Sequence, residues 1–149
     1  MCRLVYVFIA GTALMGLAAG CGNSDGETEA DRVGVGAECT VDPGADPPST
    51  CPVVQKDEMD VQLECLQFKG GYCGVEGCTG DLDCPDGSAC VTHDDGKNYC
   101  FRECTDKPEC NLNRPTCESN CVGSITFVDP RDDRKACEPP SASTSCPIP

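Results

Sequence analysis

Sixteen of the 149 residues are cysteines, so thiols are the most abundant reactive groups in this chain. Thiols can form disulfides, bind zinc or carry out redox exchange. No two cysteines have the Cys-x-x-Cys spacing on which structural zinc sites and thioredoxin-like motifs rely, and His93 is the only histidine. The spacing therefore predicts structural disulfides formed in an oxidising compartment.

Cys2 lies in a predicted signal peptide, and Cys21 is a predicted site of lipidation, as described below. The other fourteen cysteines are an even number, which predicts seven bridges and no free thiol. The sequence leaves the pairing open, although Cys137 and Cys146 are candidates to bridge each other. The predicted disulfide cysteines are Cys39, Cys51, Cys65, Cys73, Cys78, Cys84, Cys90, Cys100, Cys104, Cys110, Cys117, Cys121, Cys137 and Cys146.

A cluster of acidic residues is the candidate metal site. Asp81, Asp83 and Asp86 precede Gly87, which places three carboxylates beside a glycine turn. The pattern resembles the opening of an EF-hand calcium loop, but it is one residue too long between the second and third acids and has no glutamate at the twelfth position. Calcium is therefore the one cofactor considered. The alternative is a solvated acidic turn in which Asp83 caps nearby backbone amides.

Catalysis is not expected from the remaining polar residues. A serine or cysteine nucleophile needs a base, and His93 lies next to Asp94 beside a predicted turn, where we expect a solvated side chain. Paired carboxylates such as Asp81 and Asp83 could serve a glycosidase, but only in a cleft, which a chain with little core is not expected to build. We therefore expect a protein that is not an enzyme.

Protease inhibition is the second class of function that the sequence allows. Small disulfide-linked proteins often present a rigid loop to a protease. The loop Asp94–Asn98 carries Lys97 between Cys90 and Cys100, so Lys97 is the candidate specificity residue. The alternative is an ordinary exposed lysine.

The composition limits both the core and the partners. The formal net charge is −14 at pH 7, which disfavours nucleic acid as a partner. Aromatic residues make up 5% of the chain and tryptophan is absent, so we expect disulfides to replace a large apolar core. Tyr72, Tyr99 and Phe101 are the candidates for an exposed patch that contacts a protein or glycan ligand. The alternative is that these aromatic rings pack on the disulfides.

An export signal opens the chain. One positive charge at Arg3 is followed by an uncharged stretch from Leu4 to Gly20, which is short for a membrane span. The string Leu17-Ala18-Ala19-Gly20-Cys21 resembles the lipobox of bacterial lipoproteins, and that resemblance implies lipidation of Cys21 and attachment to a membrane. Because Ala18 stands where leucine is commoner, the alternative is an ordinary secretory signal cut near Ala19. Gly22 after the cysteine indicates, by analogy with Gram-negative lipoproteins, the outer membrane.

An internal repeat organises the rest of the chain. Cys78-Thr79 and Cys104-Thr105 each open a unit of four cysteines with an acidic residue just before the second cysteine. The predicted organisation is a signal peptide at 1–20, a disordered acidic tether at 21–38, an N-terminal cysteine-rich module at 39–77, two four-cysteine repeats at 78–121, and a C-terminal strand with a Pro/Ser-rich tail at 122–149.

Secondary structure is expected to be short. Residues 89–93 and 97–102 flank Asp94-Asp95-Gly96, which predicts a β-hairpin with Cys90 opposite Cys100, close enough for a bridge. Residues 59–68 fit a strand or a helical stripe, and the glycine pair that follows favours the strand. Residues 125–128 are predicted to form a last strand. The predicted class is a small disulfide-rich fold of irregular loops, short hairpins and little helix.

Residues 65–121 resemble cysteine-rich secreted lipoproteins of myxobacteria, whose repeats are described as similar to the Dickkopf N-terminal cysteine-rich region. The most specific part is Cys84-Pro85-Asp86-Gly87-Ser88-Ala89-Cys90. The resemblance implies a protein of the cell envelope, either an outer membrane lipoprotein or a secreted protein, and it implies no reaction. We therefore expect a structural or binding role at the envelope.

Overall fold

The computed structural model of the chain describes residues 26–44, 49–56, 59–141 and 146. The elements in chain order are α1 (Glu29–Val33), β1 (Val53–Lys56), β2 (Met59–Gln62), β3 (Glu64–Leu66), β4 (Tyr72–Gly74), a 3-10 turn (Asp81–Asp83), β5 (Ser88–Thr92), β6 (Asn98–Arg102), α2 (Lys107–Cys110), β7 (Asn120–Val122), β8 (Thr126–Phe127) and β9 (Ala136–Glu138). These short elements confirm the predicted fold class. Among the described residues, no helix has the length and apolar character needed to cross a bilayer.

The strands form four small antiparallel sheets. β1 pairs with β2, β3 with β4, and β7 with β9, while β5 lies between β6 and β8 in the one three-stranded sheet of the described residues. The strand interpretation of residues 59–68 is confirmed by β2 and β3. The strand predicted at 125–128 is present as β8, but it is not the last one, because β9 follows it and pairs with β7.

Seven disulfides join all fourteen of the predicted cysteines. The pairs are Cys39–Cys65, Cys51–Cys73, Cys78–Cys90, Cys84–Cys100, Cys104–Cys121, Cys110–Cys137 and Cys117–Cys146. They fall into three sets that succeed one another along the chain, at 39–73, 78–100 and 104–146. Within each set the bridges overlap along the chain: the first cysteine of each later bridge comes before the second cysteine of the bridge that precedes it.

The third set corrects the predicted organisation of the C-terminal half. Cys104 bonds within its own repeat, but Cys110 and Cys117 bond to Cys137 and Cys146 in the segment predicted to be a separate tail. The predicted bridge between Cys137 and Cys146 is therefore wrong. The physical reason is that β9 lies alongside β7, which brings the end of the chain back onto the second repeat.

The hairpin of β5 and β6 agrees with its prediction in position and register. Cys90 and Cys100 are opposite each other, and the turn closes with the Gly96 amide donating to the His93 carbonyl at 2.9 Å. The two cysteines do not bond to each other. The 78–84 loop covers this face of the hairpin, so Cys90 bonds to Cys78 and Cys100 bonds to Cys84.

Aromatic side chains form the centre of the core. The Phe68 ring lies 5.1 Å from that of Tyr99 and 5.6 Å from that of Phe101, between centroids, and Tyr72 packs on Phe101 at 5.2 Å. Tyr72, Tyr99 and Phe101 are at most 5% exposed, so the prediction that they form a surface contact patch is wrong. The cause is the scarcity of aliphatic side chains, which leaves the few aromatic rings to fill the interior.

Residues 26–38 are ordered, which corrects this part of the prediction of a disordered tether over 21–38. Thr28 and Asp31 form a reciprocal capping box at the start of α1, and Gly34 ends the helix in the left-handed conformation. Ala30 and Val33 are buried in the core. The predictions for the signal peptide and Cys21 concern residues 1–25, which lie outside the described residues.

Candidate functional site

The carboxylate of Asp81 is bound by arginine. Its side chain forms ion pairs with Arg134 at 2.8 Å and Arg131 at 3.6 Å, and it accepts a hydrogen bond from the Cys90 amide at 3.0 Å. Burial acts to lower the pKa of Arg134, but the carboxylates of Asp81 and Glu103 outweigh it and raise the pKa. A guanidinium therefore occupies the position that a cation would take beside Asp81.

The other two acids of the predicted calcium site have separate roles. Asp83 accepts hydrogen bonds from both the amide and the hydroxyl of Thr79 at 2.7 Å, which is the capping role expected of an acidic turn. The exposed Asp86 contacts α1 through its backbone, and its carbonyl accepts from the Ala30 amide at 2.8 Å. Within the described residues, the only groupings with metal-ligand spacing are cysteines already bonded as disulfides. This geometry gives the calcium hypothesis no support.

The loop Asp94–Asn98 is a tight hairpin turn. The Lys97 carbonyl accepts a hydrogen bond from the His93 amide at 2.9 Å, the Lys97 amide donates to Asp95, and its ammonium pairs with Glu76 at 2.6 Å. The pair with Glu76 raises the pKa of Lys97. A protease binds an inhibitory segment in an extended conformation, in which the main chain of the segment is free to form hydrogen bonds with the main chain of the protease. This loop offers neither property, so its geometry does not favour protease inhibition.

The His93 side chain is largely buried, so the prediction of a solvated side chain is wrong. Its side chain is 8% exposed and packs edge-on against Phe68, with 5.1 Å between ring centroids. Nδ1 lies 3.4 Å from the Asp95 carboxylate. The sequence could not reveal this contact, because Phe68 lies 25 residues away in the chain.

A cleft of mixed charge lies between the C-terminal loop and the second repeat, with a volume of about 740 Å³. Arg131 is exposed at its rim, and Arg134 lies over the Phe127 ring at 5.1 Å. The lining also includes Asp132 and Asp133, so the three basic side chains are largely balanced. The cleft is lined by Cys104, Thr105, Gly123, Phe127, Arg131, Asp132, Asp133, Arg134 and Lys135.

A second depression lies where the described chain begins, and we call it the N-terminal face: Gly26, Glu27, Leu112 and Asn113. These residues line a cavity of about 480 Å³ together with Asp31, Val35, Arg102 and Glu109. Leu112 is 71% exposed. No prediction from the sequence included this face, although Thr28-x-x-Asp31 and Gly34 are helix-capping signals that indicate α1.

We expect the contact between α1 and the hairpin to weaken in acid. Asp31 pairs with Arg102 at 2.5 Å. Partial burial acts to raise the pKa of Asp31, but hydrogen bonds from Thr28 and the charge of Arg102 outweigh it, so the pKa is lowered. Because the pKa of Asp31 is lower in the folded protein than in the unfolded chain, the ionised carboxylate stabilises the contact. This stabilisation is complete above the pKa of the unfolded chain, about 3.9, and is lost as the pH falls through the pKa of the folded protein.

Hydrogen exchange of the α1 amides between pH 6 and pH 2, corrected for the intrinsic rate, measures this effect. Protection of the Ala30 amide should fall below about pH 4, while the Val91 amide in β5 serves as the internal reference. The Asp31→Asn variant should lose this pH dependence. Protection in the unmodified protein that stays constant to pH 2 would contradict the prediction.

Comparisons with known proteins identify no relative: no family model matches the sequence, and neither the curated proteins nor the solved structures contain a match.

Proposed function

We propose that this protein is a lipid-anchored, extracytoplasmic domain with a structural or binding role at the cell envelope. The observation that carries the proposal is the complete pairing of the fourteen cysteines from Cys39 to Cys146. Seven disulfides in a chain of this size are typical of proteins that mature outside the cytoplasm.

The pairing also bears on Cys21. Because every later cysteine is bonded to another, Cys21 has no partner within the chain that follows the signal. A free exposed thiol would be reactive in an oxidising compartment, whereas acylation removes it. Two or three acyl chains on one residue give a durable anchor, which a single chain does not. This supports Cys21 as the lipidated residue, and Gly22 supports the outer membrane as its location.

The binding role is proposed from the character of the surface. The acidic balance disfavours nucleic acid, and the tight hairpin turn does not favour protease inhibition. A disulfide-linked domain offers preformed surfaces, and rigid surfaces bind with a small loss of entropy. A protein or glycan ligand at the envelope fits these properties, and the resemblance of residues 65–121 to cysteine-rich envelope lipoproteins supports it.

Intact-mass analysis of the protein extracted from membranes tests the proposal. We expect a chain that begins at Cys21, carries the mass of its acyl chains and lacks the fourteen hydrogens lost in seven oxidised pairs. The Cys21→Ser variant is the matched control and should leave the membrane fraction with all seven bridges intact. A mature chain without acyl mass, or one with many free thiols, would contradict the proposal.

A further inference from the structure

We propose that the N-terminal face rests on the surface of the bilayer that holds Cys21. This inference depends on the proposed acylation of Cys21 and adds to it a defined orientation of the domain. The partner is the headgroup layer of a zwitterionic bilayer, and the contact residues are Gly26, Glu27, Leu112 and Asn113.

The length of chain between Cys21 and the fold limits the distance of the domain from the bilayer. The described fold begins at Gly26, five Cα–Cα steps after Cys21. Fully extended, this length reaches about 18 Å. A fold that began at Cys39 would leave a reach of about 60 Å. The docking of α1 therefore removes most of the freedom that a long tether would give.

Polar contacts hold the start of this segment on the domain. The Ala30 amide donates to the Asp86 carbonyl at 2.8 Å, and Glu29 accepts from the Asp86 amide at 3.0 Å. Asp31 pairs with Arg102 at 2.5 Å. Further along, the Gly36 amide donates to the Cys73 carbonyl at 2.9 Å. The segment is thus bound to the first two disulfide sets before it reaches its own first cysteine.

Leu112 is the apolar residue of the N-terminal face. It lies in a turn whose two ends are fixed. The side-chain amide of Asn111 donates to the Ser119 carbonyl at 3.0 Å, and the Arg114 side chain is buried. The Asn113 carbonyl accepts from the Glu38 amide at 3.0 Å, which ties the turn to the N-terminal segment. Leu112 is therefore held outward beside Gly26, where an interface of lipid headgroups would cover it.

The charge of the N-terminal face favours a bilayer with zwitterionic headgroups over one with anionic headgroups. Glu27 and Glu109 line the same cavity as Leu112, while Arg102 is paired with Asp31. This leaves the face acidic, within a chain of net charge −14. Anionic headgroups would repel it, whereas zwitterionic headgroups carry ammonium groups at their surface and no net charge.

The hairpin of β5 and β6 gives the domain its outward direction. Its base, at Arg102, lies against α1, and its turn, at Asp94–Gly96, lies about 20 Å further along the strands. When the domain rests on its N-terminal face, the turn lies at the other end of these strands, and we expect it to face away from the membrane.

Tryptophan fluorescence tests this orientation, because the chain contains no tryptophan of its own. The acylated full chain carrying Leu112→Trp is reconstituted in phosphatidylcholine vesicles that contain a lipid with a nitroxide on its headgroup. The matched variant is Asp94→Trp at the hairpin turn. We expect the Leu112→Trp protein to lose most of its emission and the Asp94→Trp protein to keep most of it.

A lengthened tether supplies the second control. Insertion of about twelve Gly and Ser residues between Asp25 and Gly26 lengthens the tether and leaves α1 packed on the domain. The domain can then move away from the bilayer and its quencher, so the emission of the Leu112→Trp protein should recover. Equal quenching of the two tryptophan variants, or quenching that the insertion does not relieve, would overturn the orientation.

Intact mass separates the two proposals. A chain without acyl mass would contradict the proposed function and this inference together. A chain with acyl mass whose Leu112→Trp emission is not quenched would contradict the orientation alone.

Discussion

The Arg114→Met variant should lose about 4 kcal/mol of its free energy of unfolding. Arg114 is 3% exposed, and its guanidinium donates to four main-chain carbonyls at distances from 2.8 to 3.1 Å. The acceptors are the carbonyls of Cys117, Gly36, Gly71 and Lys69. Methionine would fill part of the volume and leave these carbonyls without their donor.

The environment of Arg114 explains why one residue has such an effect. Its four acceptors belong to the N-terminal segment and to the first and third disulfide sets, so a single side chain joins three parts of the molecule. It also lies over the Tyr72 ring at 5.6 Å. Burial lowers the pKa of Arg114, although Tyr72 and Glu38 act to raise it, and a guanidinium stays charged at neutral pH.

Urea unfolding of the oxidised protein, followed by circular dichroism, measures the change. Arg114→Lys is the matched control: it keeps the charge but cannot reproduce the planar arrangement of donors, so we expect it to lose about half as much. A loss below about 1 kcal/mol in Arg114→Met would show that the carbonyls find other partners.

Replacing Gly71 with alanine should destabilise the protein by several kcal/mol, on the order of 4, or prevent the Cys39–Cys65 bridge from forming. Gly71 has φ +68°, and a Cβ there would lie 2.1 Å from the Cys39 carbonyl oxygen and 2.6 Å from its sulfur. Neither atom can move away easily, because Cys39 is bonded to Cys65 and its amide donates to the Gly70 carbonyl.

Gly77→Ala is the matched control for the steric part of this effect. Gly77 also has positive φ, at +86°, but a Cβ there would meet nothing within 4 Å. It should therefore lose only the cost of the left-handed conformation, about 1 kcal/mol. Unfolding of the two variants, together with peptide mapping of their bridges, gives the comparison. Equal losses would contradict a clash at Cys39.

The features predicted correctly from the sequence are those set by residues close together in the chain. The hairpin follows from the Asp94-Asp95-Gly96 turn and the residues on either side of it, and the cap on Thr79 follows from Asp83 four residues later. The number of bridges follows from the even count of cysteines. Each of these needs only local geometry or arithmetic.

The features that the sequence could not supply depend on contacts between distant segments. The pairing of Cys110 with Cys137 requires knowing that β9 returns to β7, and the burial of His93 requires Phe68. The carbonyls bound by Arg114 come from four positions that no local pattern connects. Tyr72, Tyr99 and Phe101 could equally have covered the surface, because aromatic residues serve both roles in small domains.

The three interleaved disulfide sets leave just two stretches between Cys39 and Cys146 that no bridge spans, Gly74–Gly77 and 101–103. Both are hydrogen-bonded to neighbouring segments: the Cys100 amide donates to the Val75 carbonyl at 2.9 Å, and the Glu103 amide donates to the Gly87 carbonyl at 2.8 Å. A protease that cut any other peptide bond in this region would leave one nicked but covalently continuous molecule. Resistance to fragmentation by a protease is thus a consequence of the order in which the bridges overlap.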